Sequence, residues 1–261
     1  MSGRGFLNKK SVLIFGAGIV LGAVVFAWAS VSFRPSTQTP PMVRLRSPQV
    51  GGVFTAAQAI SYAPLPGAEL LQTRDTPLFR SLLSKEPDAR SMLYAVKKGD
   101  SLTAIAKAHG TTVELLKRIN ALASDKLSIG QTLKLTNTKF NIVVDKSQNT
   151  LILKGDEEVL KSYVVSTGTH NSTPVGVFKV TDKLVNPTWY KSGAVVPYGS
   201  PDNVLGTRWI GLTQKGYGIH GTTEPDTLGQ QITAGCVRMK NEEVEELYAF
   251  VVPGTEVTIV D

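Results

Sequence analysis

The 261-residue chain has a single cysteine, Cys236, and only three histidines, His109, His170 and His220. One thiol closes no intramolecular disulfide and builds no cysteine-ligated zinc site. Three scattered imidazoles supply little for metal chemistry, so neither a metal nor a cofactor is expected. Charge of one sign is also scarce where a nucleic-acid binder would need it. The net charge is +7, yet residues 1–90 hold ten Lys/Arg against four Asp/Glu, and residues 91–261 hold eighteen against seventeen. The basic excess lies outside the part that reads as folded, and no basic patch interleaved with aromatics appears there. Nucleic acid is therefore not an expected partner.

What is present begins with an apolar run. After a short basic tail at 1–10, residues 11–33 carry no charge, and a helix of that length spans about 30 Å of hydrocarbon. Ala27 and Ala29 have the spacing of a signal cleavage site, but the run exceeds a signal peptide's apolar core of roughly 7–15 residues. The expectation is an uncleaved transmembrane anchor, with Gly18 and Gly22 at small-xxx-small spacing on its surface. Flanking charges, Arg4, Lys9 and Lys10 against Arg34, Arg44 and Arg46, do not orient it. Residues 34–90 hold eight of the fourteen prolines and show no sustained apolar period, so they read as a linker. A short helix near DTPLFRSLLS, with Asp75 as its cap, is expected to interrupt it.

Residues 91–137 read as strand, helix, helix, strand. Asp100 is a candidate cap for a helix carrying Leu102, Ile105 and Ala106 on one face, and Gly110 stops it. Thr111 and Glu114 have the spacing of a capping box for a second helix, in which Leu115 and Ile119 lie four apart. His109, near a helix end, reads as a packing or dipole partner. The ordered features Y-x-V-x-x-GDSL, a Gly-Thr break, Asn120 and L-x-x-GQ-x-L resemble the LysM family. The resemblance implies binding of peptidoglycan glycan strands in a shallow groove, lined here by Gly99, Asp100, Ser101, Leu102 and Thr103 and by a second turn holding Ile129 and Gly130.

From residue 138 to 261 the pattern changes to short alternating runs such as FNIVVD, TLILK, GVFKV and EVTIV, with Gly155-Asp156 as a hairpin turn. One helix is expected near 241–251, capped by Asn241. The fold class expected is therefore a mainly β C-terminal domain, a β-sandwich with one covering helix, beside a small βααβ module and an N-terminal transmembrane helix.

Cys236 becomes a nucleophile only as its thiolate, which needs a base or positive environment near the sulfur. His220 is the candidate, too far along the chain for a local turn, so adjacent strands must bring the pair together. A lone cysteine is equally compatible with a small buried hydrophobe. Gly235 leaves space for backbone N–H groups to face a developing oxyanion.

HGT at His220–Thr222 followed by T-A-G-C-V-R-M at Thr233–Met239 resembles the YkuD-type L,D-transpeptidases, in which H-G precedes S/T-x-G-C-[IV]-R-M. VSTG, TPVGVFKV and LGTRWIGL fall in the family's order upstream. The resemblance implies that Cys236 attacks a peptidoglycan stem peptide, releases D-Ala and passes the acyl group to an amine. His220 would be base or ion-pair partner, the Gly221 carbonyl would orient it, the N–H groups of Gly235 and Cys236 would hold the oxyanion, and Arg238 would support the site or hold a carboxylate. Ala234 departs from the family's frequent histidine, which keeps a catalytically inert wall-binding protein as an alternative, and an L,D-carboxypeptidase stays open because water and amine acceptors share the acyl-enzyme. A papain-like or NlpC-type peptidase needs its histidine after the cysteine, and none follows Cys236. Trp189, Tyr190, Trp209 and Tyr217 fit either a cleft or a core, and His170 fits a surface loop or a substrate contact. The family context places the catalytic domain outside the cytoplasm on a single-pass anchor.

Overall fold

The computed structural model describes residues 74–191 and 193–261. The anchor, its small-residue face and the first part of the linker lie outside the described residues. Among the described residues no helix is long and apolar enough to cross a membrane.

The chain runs through β1 (Arg74–Asp75), α1 (Pro77–Leu83), β2 (Ser91–Ala95), α2 (Leu102–Ala108), α3 (Val113–Asn120) and β3 (Thr132–Thr136). It continues with β4 (Phe140–Asp145), β5 (Thr150–Gly155), β6 (Glu158–Val164), β7 (Thr167–Gly168), β8 (Gly176–Val185), β9 (Trp189–Lys191) and β10 (Ala194–Val196). The last elements are β11 (Arg208–Leu212), β12 (Gly218–His220), β13 (Gln231–Thr233), β14 (Val237–Arg238), α4 (Asn241–Phe250) and β15 (Glu256–Val260).

The β content is as expected, but the sandwich is not built from two separate sheets. Nine strands join in one hydrogen-bonded order, β1-β6-β5-β4-β15-β8-β11-β12-β14. The physical reason is β8, whose ten residues serve two partners: Gly176–Lys179 pair with β15, and Val180–Val185 pair with β11 through an irregular register near Ile210 and Leu212. A strand shared in this way lets one sheet curl over itself. Helix α4 contacts β11 and β12 and buries Val244, Leu247 and Phe250.

Helices α2 and α3 and the pair β2/β3 form the expected βααβ module, and Leu102, Ile105, Ala106, Leu115 and Ile119 are buried in it. It does not have a core of its own. Leu115, Leu116 and Ile119 belong to the same apolar cluster as Tyr163, Leu247 and Phe250. Helix α1 joins them, with Phe79 and Phe250 ring centroids 5.4 Å apart. Full burial of an aromatic side chain of this size contributes roughly 2–3 kcal/mol. Lys134, almost wholly buried, donates to the carbonyls of Ser81, Leu82, Ser84 and Glu86 at 2.9–3.3 Å and so closes the C-terminal end of α1. His109 packs its ring against the edge of Tyr94.

Four caps and one turn differ from the sequence reading. Asp75 pairs with Lys161 across β1 and β6, at 2.8 Å, and Thr76 caps α1. The Asp100 carboxylate accepts from the Lys97 N–H and the Tyr94 hydroxyl, both at 2.8 Å, leaving Ser101 to cap α2. The Thr111 N–H closes the end of α2 on the Ala106 carbonyl, so Thr112 caps α3. Its hydroxyl also donates to the Ala249 carbonyl at the end of α4. Asn241 is the first residue of α4 rather than its cap, with its side chain turned to two loops described below. The hairpin turn after β5 is Asp156-Glu157, one residue later than expected, because both positions have positive φ, at 50° and 69°, as a type I′ turn requires.

Candidate active site

The site forms where β12 and β14, sixteen residues apart in sequence, lie side by side in parallel. Ile219 pairs with Val237 and His220 with Arg238. Paired residues of parallel strands face the same side, so His220 and Arg238 share one face, and Cys236 sits in the turn just before β14. The register thus sets the histidine beside the segment that begins one residue after Cys236.

His220 is buried, and its Nδ1 lies 2.7 Å from the Gly221 carbonyl oxygen. A carbonyl can only accept, so Nδ1 carries the proton and the neutral ring has its lone pair on Nε2. The Trp209 indole stacks on the imidazole, with centroids 6.0 Å apart and planes 19° from parallel. Burial drives the His220 pKa down to about 4; the neighbouring Arg238 charge adds to this, and the Gly221 and Leu205 carbonyls oppose it.

Cys236 is half-buried, and its thiol donates to the Gly216 carbonyl at 3.7 Å rather than to the imidazole. Burial raises its pKa, with the Gly218 backbone and the Arg238 charge pulling the other way. The resting pair is therefore neutral thiol and neutral imidazole. Cys236 opens onto a cleft of about 260 Å³ walled by Trp189, Tyr190, Trp209, Leu205 and Pro187. Three of the four aromatics thus line the cleft. Tyr217 instead covers Gly235: a Cβ placed there would lie 2.6 Å from Tyr217 Cε1, and φ is +132°. Gly235 is required on both counts.

The Thr233 hydroxyl accepts from the Gly235 N–H at 3.1 Å and donates to the Cys236 carbonyl at 2.6 Å, clamping the nucleophile turn. This corrects one expectation. The Gly235 N–H is engaged by Thr233, so of the two amides assigned to an oxyanion only that of Cys236 is left for the role. Arg238 is buried and binds Glu224 at 3.1 Å and the Thr227 hydroxyl at 3.4 Å, an arrangement that supports the site rather than reaching into the cleft. Ala234 is exposed, and so is His170, which sits in a 3-10 turn with φ 51°.

At the other candidate site, the Val96 N–H and carbonyl bond Gln131 and Gly130, which joins the turn holding Gly99, Asp100 and Ser101 to the turn holding Ile129 and Gly130. Thr103 and Ile129 are exposed, the latter at 72 %. Leu102 is overturned as a groove residue. It is 2 % exposed, because the apolar face of α2 turns it into the core.

Glu224 and Asn241 were not recognised as site residues from sequence. No local signal marks Asn241: Gly-Thr occurs five times in the chain, and only the fold shows that the N–H groups of Thr207 and Thr222 donate to its side chain, at 3.1 and 3.3 Å.

Residues 139–259 match the model of the L,D-transpeptidase catalytic domain, and residues 94–136 match that of the LysM domain. Two Bacillus subtilis proteins with L,D-transpeptidase names are similar to the chain. YqjB is 43 % identical over 46 % of this chain and 70 % of its own length, and YkuD is 31 % identical over 64 % of this chain and 98 % of its own. Among solved structures, an L,D-transpeptidase from Mycobacterium smegmatis aligns with 51 % of this chain and 65 % of that one at 20 % identity, with a TM-score of 0.42 that adds nothing to the assignment. The match of almost the whole of YkuD, together with both domain models, makes this chain a LysM-containing member of the L,D-transpeptidase family.

Proposed function

We propose that the protein cross-links peptidoglycan through a Cys236 acyl-enzyme, with His220 as general base. The observation that carries this reading is the 2.7 Å contact of His220 Nδ1 with the Gly221 carbonyl, which puts the proton on Nδ1 and the lone pair on Nε2, in a strand whose neighbour begins one residue after Cys236. Burial disfavours a preformed thiolate–imidazolium pair, so the proton leaves sulfur as sulfur attacks. Sγ bonds to the stem-peptide carbonyl carbon, its proton passes to His220, and the Cys236 N–H supports the oxyanion. The C–N bond to the terminal D-Ala then breaks, and the leaving amine takes the proton. An acceptor amine attacks the thioester, the C–S bond breaks, and the proton lost by the amine returns to the thiolate by way of His220.

Gly221 orients the base, Arg238 braces the strand pair, and the aromatic walls exclude water so that an amine competes with hydrolysis. The LysM turns grip the glycan, and residues 11–33 tether the protein to the membrane with its catalytic domain on the wall side.

Purified peptidoglycan carrying tetrapeptide stems tests the reading. Incubation should yield cross-linked dimers and free D-Ala by mass spectrometry, and Cys236→Ala should yield neither. Released D-Ala with hydrolysed stems and no dimers would mark a carboxypeptidase instead.

A further inference from the structure

The Gly221 carbonyl that holds His220 belongs to the same peptide unit as the Thr222 N–H, and that N–H donates to Asn241 Oδ1 at 3.3 Å. A second donor, the Thr207 N–H, reaches the same oxygen at 3.1 Å, and Asn241 Nδ2 donates to the Thr222 carbonyl at 2.9 Å. Two N–H donors and one carbonyl acceptor admit only one orientation of the amide. The oxygen sits in a cradle that only glycines allow: a Cβ on either Gly206 or Gly221 would lie 2.2 Å from it. Gly206 also has φ +64°, so the loop from LGT and the loop from HGT are both shaped to reach Asn241. The helix start that carries Asn241 is anchored in turn, because Val244 and Leu247 of α4 are fully buried.

We propose that Asn241 is a positioning residue for His220, holding the Gly221–Thr222 peptide so that the proton stays on Nδ1 and the lone pair on Nε2. A hydrogen bond accepted from a peptide N–H strengthens that peptide's carbonyl as an acceptor. The chain from Asn241 Oδ1 through the Thr222 N–H and the Gly221 carbonyl to His220 Nδ1 is therefore cooperative. Asn241 touches neither sulfur nor imidazole and acts only through the peptide. The inference rests on His220 being the base, but its test reads the imidazole itself.

Nitrogen-15 NMR of the full chain labelled at histidine distinguishes the two neutral tautomers at pH 7. The wild type should show the proton on Nδ1; the opposite tautomer would overturn the proposed role of His220 as well. Asn241→Ala should raise the Nε2–H fraction roughly fivefold, the worth of one hydrogen bond. It should also lower the rate of Cys236 acylation with KM little changed. Asn241→Asp keeps the acceptor oxygen for both N–H groups and should retain the Nδ1–H tautomer. If Asn241→Ala leaves the wild-type tautomer intact, the positioning role is refuted, whatever happens to activity. Should the alanine variant not fold, Asn241→Asp alone decides: its anionic oxygen polarises the peptide further and must move the Nδ1 proton resonance downfield, and an unmoved resonance refutes the proposal.

Discussion

Replacing His220 with glutamine should flatten the acid side of the stability profile. The folded imidazole titrates at about 4 because burial opposes its charge, whereas the unfolded one titrates near its ordinary 6.5. Between these values the unfolded chain binds the extra proton, so stability falls as pH drops from 6.5 to 4 and does not change further on this account below 4. The interval of about 2.5 pH units at roughly 1.4 kcal/mol each amounts to about 3.5 kcal/mol, of which about 3 kcal/mol falls between pH 7 and pH 4 because the imidazole is only half charged at pH 4, a large share of a domain's usual 5–15 kcal/mol. Urea unfolding of wild type and His220→Gln, followed at half-unit steps from pH 4 to 7, isolates the contribution. Carboxylates and the other two histidines are common to both proteins and cancel in the difference. The wild-type free energy should lose about 3 kcal/mol more than the variant across this window. Equal slopes for the two proteins would mean that His220 is not held neutral by burial, and the general-base reading would lose its physical basis.

Other consequences follow from the same contacts. Incubation with imipenem should add one drug mass to Cys236, and Cys236→Ala should show no adduct by intact mass. Glu224→Gln removes the anion 3.1 Å from Arg238, so the guanidinium should depress the Cys236 pKa further and quicken iodoacetamide alkylation at pH 7 by roughly twofold, the scale of a partly exposed ion pair; unchanged or slower alkylation would contradict the coupling. Gly235→Ala forces a side chain into Tyr217 at an unfavourable φ, and should abolish acylation while leaving the far-UV spectrum near wild type. Phe79→Ala, in the shared core, should cost about 3–5 kcal/mol and lower a single thermal transition rather than split it in two.

The sequence was informative wherever chemistry is local. The Cys236 and His220 motifs, the β alternation and the apolar faces of α2 and α3 rest on residues whose neighbours along the chain define them. Assignments failed where a polar side chain has a competitor outside its own helix. Asp100 looks like a helix cap until Tyr94 folds back to claim it. Asn241 looks like a cap until two glycine loops, one ending 34 residues upstream, arrive with their N–H groups. The single curled sheet was hidden for a related reason: no pattern within β8 announces that its two halves serve different partners.

The shared apolar core around Phe250 implies a metrical property of the enzyme. The turns at Gly99 and Gly130 flank α2 and β3, whose inner faces pack in the same cluster as the sheet behind Cys236, so the span between those turns and the sulfur is built in rather than adjustable. Anything held at those turns would sit a set step from the thiol.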